Sequence, residues 1–426
     1  MRQQLYLAFL AGMNVLIAFL TQLVVFTRIG PGMATDAFIA AATVPQMFAM
    51  MIGISLSSVL VPLFAGEEQK SQRVDGWSIL YLVGCTFTVI ALILFCTAHW
   101  WVGFLFPGFN SETHNLCVYL ARIQVFSMLF ISMGAVTTAV YYARNQFKCV
   151  EVWTLIPSML SVVIMYLLLP LYGIVIAAWV VLIKSFVLLI VLLPVLGRPV
   201  NFKGITPPVR IVWQRVRPIL ASNMYYKSDV LVDRYLLSMG TEGDISLFAL
   251  AQQLYSAANN VLGKVWGATA IPKLSVFFKT NNCDGFLGFY WRRLSKLFLA
   301  VSLFYVLIII IGKPALSLSL GVGRMNAHNI QILWQFLVIL GGMFVIGCPG
   351  VLMSGGYYAL GDTRTPTKIS VVTFTIFCFF KIISFNIYGV YGLAATVSVY
   401  YVMNAILFLI PFNKITRKAF LATKAN

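Results

Sequence analysis

The chain has 426 residues, of which 60% are hydrophobic and 10% charged, and its formal net charge is +18. So few charged side chains cannot cover a soluble domain of this length, which excludes soluble enzymes and binding proteins and predicts a polytopic membrane protein. The excess of base is also typical of nucleic-acid-binding proteins, so the positions of the bases have to decide between these classes.

Twelve apolar runs are long enough to cross about 30 Å of hydrocarbon as helices, which predicts an all-α integral membrane fold. The first run follows Arg2 and has no small-residue cleavage site, so we expect a retained helix and not a signal peptide. The twelve runs begin near Leu5, Thr35, Gly76, Leu116, Val150, Gly173, Val216, Ile245, Leu294, Asn329, Thr367 and Val390.

Lysine and arginine concentrate in alternate loops. With the N-terminus in the cytoplasm, 21 of the 30 basic residues fall on the cytoplasmic side, and only Arg28, Lys313 and Arg324 fall outside. The positive-inside rule therefore explains most of the excess base without nucleic acid. We predict a multi-pass protein of the bacterial inner membrane with both termini in the cytoplasm and the lipid bilayer as the partner of its basic loops.

The chain contains an internal repeat. An offset of 210 residues aligns Gly30 with Gly240 and Phe38 with Phe248, and an offset of 216 aligns Tyr141-Tyr142-Ala143 with Tyr357-Tyr358-Ala359. This predicts two pseudo-symmetric six-helix lobes that bind cargo between them. The predicted boundaries are an N-lobe at 1–200, a cytoplasmic surface linker at 201–215, and a C-lobe with a short basic tail at 216–426.

Six cationic side chains fall inside the predicted spans. A charge near the bilayer centre costs roughly 2.5 to 3.5 kcal/mol, so six facing lipid would cost on the order of 15 to 20 kcal/mol. Only Asp229 and Asp233 oppose them, so we expect a net positive polar interior that suits an anionic cargo. The six are Arg122, Lys184, Lys227, Arg234, Lys264 and Lys381.

On the seventh run, a helical wheel places Lys227 and Arg234 on one face and the two acids nearly opposite, at about 200° and 240° from Lys227. Lys227, Arg234, Lys264, Lys184 and Arg122 are candidate cavity-lining residues. An interhelical ion pair is the alternative for each, and snorkelling to an interface is a further one for Arg234 and Arg122.

Three other charged residues lie at predicted helix ends. Asp36 is expected to cap the second helix, with ion coupling as the alternative. Asp362 and Arg364 are expected to form a local turn or a gate hydrogen bond at a cytoplasmic junction. No catalytic constellation, phosphate loop or metal-ligand spacing is found, so we expect neither an enzyme nor ATP hydrolysis.

Several segments resemble one family in order along the chain. They read TRIGPGMATDAFIAAATVPQM, VLVDRYLLSMG, IPKLS, YYALGDTRTPTKIS and GLAATVSVYYVMNA. Together they resemble the MurJ (MviN) branch of the multidrug, oligosaccharidyl-lipid and polysaccharide exporter superfamily. The resemblance implies a flippase that moves an undecaprenyl-pyrophosphate-linked saccharide across the bacterial inner membrane by alternating access of a cationic cavity.

The resemblance also marks departures. The family's cavity arginines on the first, second and eighth helices correspond to Gln22, Ala49 and Gln253. Gln253 is therefore a further candidate cavity residue, and Lys227, Arg234 and Lys264 are expected to supply the charge. Twelve helices are expected in place of fourteen, without the pair that forms a groove for the lipid tail. Where some members bind sodium, the ammonium of Lys381 is expected to replace the ion by pairing with Asp229 or Asp233 on the seventh helix.

The alternatives differ in what they require. A drug or organic-cation antiporter on the same fold needs buried acids, and a membrane glycosyltransferase or ligase needs a catalytic site outside the bilayer. A non-transporting scaffold protein would tolerate neutralisation of its buried charges. A transporter of the major facilitator class would carry a G-x-x-x-D-R-x-G-R-like loop after its second helix. Lipid II and an exopolysaccharide or O-antigen repeat both remain open as cargo. No cofactor is expected, and Na+, H+ or the membrane potential remains open as the driving force.

Overall fold

The computed structural model is helical throughout, and none of the residues it describes lies in a strand. The predicted all-α class is confirmed. The described residues are 2–65, 68–201, 210, 212–214, 216–217, 220, 224–225, 228–262, 270–321 and 323–425.

The chain divides into two compact units, Met1–Ser246 and Leu247–Asn426. Helix α9 begins in the first unit and continues in the second. The helices of the first unit are α1 (Arg2–Arg28), α2 (Met33–Phe64), α3 (Gln69–Cys96), α4 (Ala98–Leu105), α5 (Ser111–Ala143), α6 (Phe147–Tyr172), α7 (Ile174–Leu192) with a 3₁₀ turn (Leu193–Leu196), α8 (Asp229–Ser238) and the start of α9 (Asp244–Leu262).

The second unit contains one very long final helix. Gly389, with a φ of 59°, divides that helix into two. The remaining helices are α10 (Ala270–Lys279), α11 (Cys283–Leu320), α12 (Ala327–Ile339), α13 (Gly341–Ala359) and α14 (Arg364–Ala425). The unit boundary after Ser246 falls later than the predicted lobe boundary because α8 packs against α2 and α4. The predicted lobe and linker boundaries stay a prediction.

Eight helices of the described chain are long and apolar enough to cross a membrane, or nine if α12 and α13, which meet at a 47° bend, form one span. Helix α9 is not among them, and its sequence contains Gln252, Gln253 and Asn259. Part of the predicted seventh span lies outside the described residues. A multi-pass membrane protein is therefore confirmed, and the number twelve stays a prediction.

Side-chain caps explain where several helices start. The amide oxygens of Asn110, Asn282 and Asn326 accept hydrogen bonds from backbone N–H groups three residues later, each at 2.8 Å, at the starts of α5, α11 and α12. Inside the helices, serine and threonine hydroxyls donate to carbonyls one turn back, as Ser55 does to Met51 at 2.7 Å. Such bonds satisfy polar groups where no water is present.

Helix α2 packs along α5 through small residues. Ala37, Ala40 and Ala41 are fully buried on α2, and Ala121 is fully buried on α5. Small side chains let helix backbones approach closely, which stabilises helix pairs in a membrane where the hydrophobic effect adds little. This packing fixes the start of α2, which carries Asp36.

An arginine joins three elements at the end of the first unit that the charge bias places in the cytoplasm. The guanidinium of Arg144 donates to the Gln72 side-chain oxygen at 2.9 Å and to the Val195 carbonyl at 3.0 Å. Gln72 in turn donates to the carbonyl of Phe64 at 2.8 Å. Arg144 therefore stabilises the packing of these elements against one another.

Replacing Arg144 by alanine should lower the free energy of unfolding by about 2 kcal/mol, because hydrogen bonds to a charged group contribute about 1.5 to 3 kcal/mol. Thermal unfolding of the purified protein in detergent measures the effect as a lower Tm. Arg292, an exposed base of α11, provides the control. Equal shifts for Arg144→Ala and Arg292→Ala would contradict the assignment.

Candidate functional site

A buried polar cluster lies at the end of the first unit that the charge bias places outside the cell. We call it the outer latch: Asp36, Arg234, Gly243 and Ser246. Asp36 is 4% exposed, and its carboxylate accepts hydrogen bonds from the backbone N–H groups of Gly243 at 2.6 Å and Ser246 at 2.8 Å. Because α9 begins at Asp244, this carboxylate caps α9.

The expectation that Asp36 caps its own helix is therefore wrong. Helix α2 is preceded by Gly32 and has no side-chain cap. Asp36 lies four residues after Gly32, and its own N–H already donates to the Gly32 carbonyl at 2.9 Å. The carboxylate of Asp36 instead accepts from free N–H groups at the start of α9, which carry the positive end of the dipole of that helix.

The guanidinium of Arg234 belongs to the same cluster. The side chain is 7% exposed on α8, and it donates to the carbonyl of Ile245 at 3.3 Å. Asp233 and Asp36 attract it electrostatically. The structure thus places this cation in the outer latch, between acids, and not on an open cavity surface. The helical wheel missed this because it considered one helix alone, whereas α8 packs against α2 and α4.

The backbone around the latch is closely packed. A Cβ added at Gly108, just after α4, would lie 2.1 Å from the carbonyl oxygen of Ser238 at the end of α8. Gly243 adopts a φ of 96°, which favours glycine, and lies against Pro31 and Gly32. Gly108 therefore has no room for a larger side chain, and Gly243 is restricted by its backbone conformation. They hold α8 and the start of α9 against the start of α2.

One signal in the sequence could have identified this contact. The internal repeat has an offset of 210 residues, and the same offset separates Asp36 from Ser246, whose N–H it binds. In the predicted repeat, equivalent residues of the two halves touch only near the axis that relates them. A polar residue and its repeat-equivalent partner at a helix start were therefore a predictable pair.

The remaining predicted cavity residues are spread over the fold. Arg122 is exposed on α5, with its guanidinium 5.5 Å from the centre of the Phe95 ring. Lys184 is half-buried on α7, and Gln253 is half-buried on α9. Lys227 and Lys264 lie outside the described residues. Cavity lining by these five residues stays a prediction.

The predicted coupling and gate residues lie on other elements. Lys381 is 1% exposed on α14, while Asp229 is half-buried on α8 and Asp233 is buried beside Arg234. The predicted pairing of Lys381 with either acid stays a prediction. Asp362 accepts hydrogen bonds from the backbone N–H groups of Arg364 and Thr365, both at 3.0 Å, which is the local turn expected at the start of α14.

No three histidine, cysteine, aspartate or glutamate side chains among the described residues form a group that could hold a metal ion. The described residues at this junction of three helices include one buried cation, Arg234, and three buried acids, Asp36, Asp233 and Asp244. Breaking that junction exposes these charges to water, and remaking it buries them again. Such an arrangement is suited to joining and releasing helix ends.

Comparison with known proteins identifies the family. The family model "Lipid II flippase MurJ" matches residues 25–424. The lipid II flippase MurJ of Burkholderia cenocepacia is 22% identical over 415 residues, which cover 90% of this chain and 78% of the relative. A probable lipid II flippase MurJ of Rhizobium tropici is 21% identical over 403 residues, covering 89% and 74%.

Solved structures show the same fold. An inward closed conformation of the lipid II flippase MurJ superposes with a TM-score of 0.85 at 18% identity, covering 98% of this chain and 89% of that one. An inward-facing multidrug resistance transporter of the MATE family gives a TM-score of 0.79 at 13% identity, covering 96% and 95%. The predicted transporter fold and the resemblance are confirmed, and the chain belongs to the lipid II flippase MurJ family.

Proposed function

We propose that this protein flips a polyprenyl-pyrophosphate-linked saccharide across the cytoplasmic membrane by alternating access. The observation that carries the proposal is the family match over residues 25–424, together with relatives that are named as lipid II flippases. The cargo carries a pyrophosphate, so its passage through the protein needs positive charge. Half-buried Lys184, with Lys227 and Lys264, supplies that charge in this proposal.

The outer latch has a role in this cycle. When Asp36 caps α9 and holds Arg234, the outer ends of α2, α8 and α9 are joined, and cargo has no exit there. Release of the cap separates those ends and lets cargo leave.

The cargo is tested by comparing two lipid-linked substrates. Proteoliposomes containing the full chain receive fluorescent lipid II or a fluorescent lipid-linked O-antigen-type repeat, and a membrane-impermeant quencher reports flipping. We expect lipid II to be flipped without ATP, and omission of Na+, a change of pH or collapse of the membrane potential identifies the driving force. Liposomes containing the Asp36→Ala variant are the control. Equal rates of flipping by the unchanged chain and by this variant would overturn the proposal.

A genetic test separates the cargoes in cells. Expression of this chain should restore growth to a strain depleted of its own lipid II flippase. Failure there, with restoration of a mutant that lacks a polysaccharide repeat flippase, would assign the second cargo and reject the first. Failure in both strains, with the protein present in the membrane, would contradict flippase activity toward either class.

The proposed topology places both termini in the cytoplasm, and the excess of base in alternate loops supports it. Green fluorescent protein fused after Asn426 should fluoresce, because it folds in the cytoplasm, whereas alkaline phosphatase at the same site should be inactive. Fusions after Glu112, in the first turn of α5, should behave in the opposite way. Active phosphatase at the C-terminus would contradict the topology.

A further inference from the structure

The first unit contains an apolar groove that the proposed function does not use. It holds about 880 Å³ of space, its open side included, and its walls are α2, α3 and the described residues of 212–224. Thr86 and Trp213 supply the only polar side-chain atoms in this lining. A space lined in this way stays free of water, so hydrocarbon is the expected filling.

The third wall is built by a regular stripe. Val212, Val216, Leu220 and Met224 follow one another at intervals of four residues and all line the groove. Residues four apart lie on the same face of a helix, so this segment turns one apolar face toward α2 and α3. Val212 and Val216 are buried there.

The length of the groove matches one leaflet. Its lining runs from Ile79 to Ile90 along α3, which is roughly 16 Å at 1.5 Å per residue. Half of a hydrocarbon core of about 30 Å is about 15 Å. The groove begins near the cytoplasmic end of the α3 span. A single fatty acyl chain of the inner leaflet has this reach, whereas a polyprenyl chain of many isoprene units is much longer.

Positive charge and an interfacial aromatic residue lie on the same segment as the third wall of the groove. Arg210 and Arg217 are exposed on the segment that forms the third wall. Trp213, which lines the groove, is also exposed, and tryptophan prefers the level of the lipid headgroups. Arginines beside a chain-sized apolar groove complement a lipid phosphate.

We propose that this groove binds one acyl chain of an anionic phospholipid of the inner leaflet, with the lipid phosphate held by Arg210 and Arg217. The site is distinct from the outer latch, which lies at the opposite ends of these helices. It ties the segment before α8 to α2 and α3 through a lipid. The bound lipid thus stabilises the first unit.

Native mass spectrometry of the full chain tests the proposal. Protein in detergent is supplied with equal amounts of palmitoyl-oleoyl phosphatidylglycerol and phosphatidylethanolamine, and we expect one phosphatidylglycerol to be retained. Val83→Trp fills the groove and should abolish retention. Val89→Trp is the matched control, because Val89 is exposed on the same helix and does not line the groove. Should Val83→Trp fail to fold, Thr86→Phe at an exposed lining position replaces it.

The charge is tested separately. The double variant Arg210→Gln/Arg217→Gln should weaken phosphatidylglycerol binding about 30-fold, since each base near an anionic lipid contributes roughly fivefold. Lys414→Gln/Arg417→Gln removes two exposed bases of the final helix and should leave binding unchanged. Equal retention of the two phospholipids, retention by Val83→Trp, or displacement of phosphatidylglycerol by undecaprenyl phosphate would each overturn the proposal.

Discussion

Replacing Asp36 by alanine should abolish transport and open the outer end of the protein. The variant leaves the N–H groups of Gly243 and Ser246 without their acceptor and removes one of the two acids that attract the buried guanidinium of Arg234. Removing one member of a buried charge pair costs about 3 to 5 kcal/mol. That cost shifts the equilibrium between the joined and separated states of the latch more than a hundredfold toward separation. The protein then cannot close its outer end during the transport cycle.

The opening is measured with a thiol reporter. Ser238 is 5% exposed at the end of α8, so a cysteine placed there should react with a membrane-impermeant maleimide only when the latch is broken. We expect fast labelling of Ser238→Cys in the Asp36→Ala background and slow labelling with Asp36 present. The chain without Ser238→Cys gives the background of its seven native cysteines.

Two variants make the result specific. Asp36→Asn retains one acceptor oxygen without the charge and should label at an intermediate rate. Glu112→Ala removes an exposed carboxylate from the first turn of α5 and should change neither labelling nor transport. Slow labelling of Asp36→Ala, or normal transport by it, would show that the cap does not hold the outer end closed.

Lys381 is the second residue whose replacement should stop transport. Its side chain is 1% exposed on α14. Burying an ammonium group inside a membrane protein costs considerable free energy. We expect Lys381→Ala to stall or uncouple flipping, because the predicted role of its ammonium is to replace a coupling ion in the transport cycle. Initial rates in proteoliposomes should fall at least tenfold while the amount of folded protein is unchanged.

A conservative variant separates charge from packing. Lys381→Arg keeps the positive charge and should retain part of the rate, whereas Lys381→Met keeps the volume without the charge and should behave like alanine. Lys313→Ala removes an exposed lysine of α11 and is the matched control. Full activity of Lys381→Met would show that this lysine has no role in coupling.

The sequence was sufficient for the fold class because membrane helices follow from composition and run length alone. Apolar runs of about 20 residues have only one way to satisfy their backbone in a bilayer. The internal repeat and the quoted segments then identified the family. Bends such as the one between α12 and α13 depend on tertiary packing, which run length does not contain.

The site was less predictable for a related reason. Asp36 was correctly placed at a helix start, but its hydrogen-bond partners lie more than 200 residues away. Arg234 was recognised as a costly buried charge, yet a single helix cannot reveal which neighbour covers it. Burial predicts that a charged side chain has partners, but only the packing of α8 on α2 and α4 identifies those partners.

The pairing of Asp36 with the residue 210 positions later has an evolutionary consequence. In an ancestral homodimer of half-length chains, both copies would carry the same side chain at this contact, and two aspartates there would repel each other. Gene fusion removes that restriction. One half can then keep the acid while the other half provides only a serine and a free backbone N–H. This asymmetric contact is possible within a single polypeptide but not in a symmetric dimer.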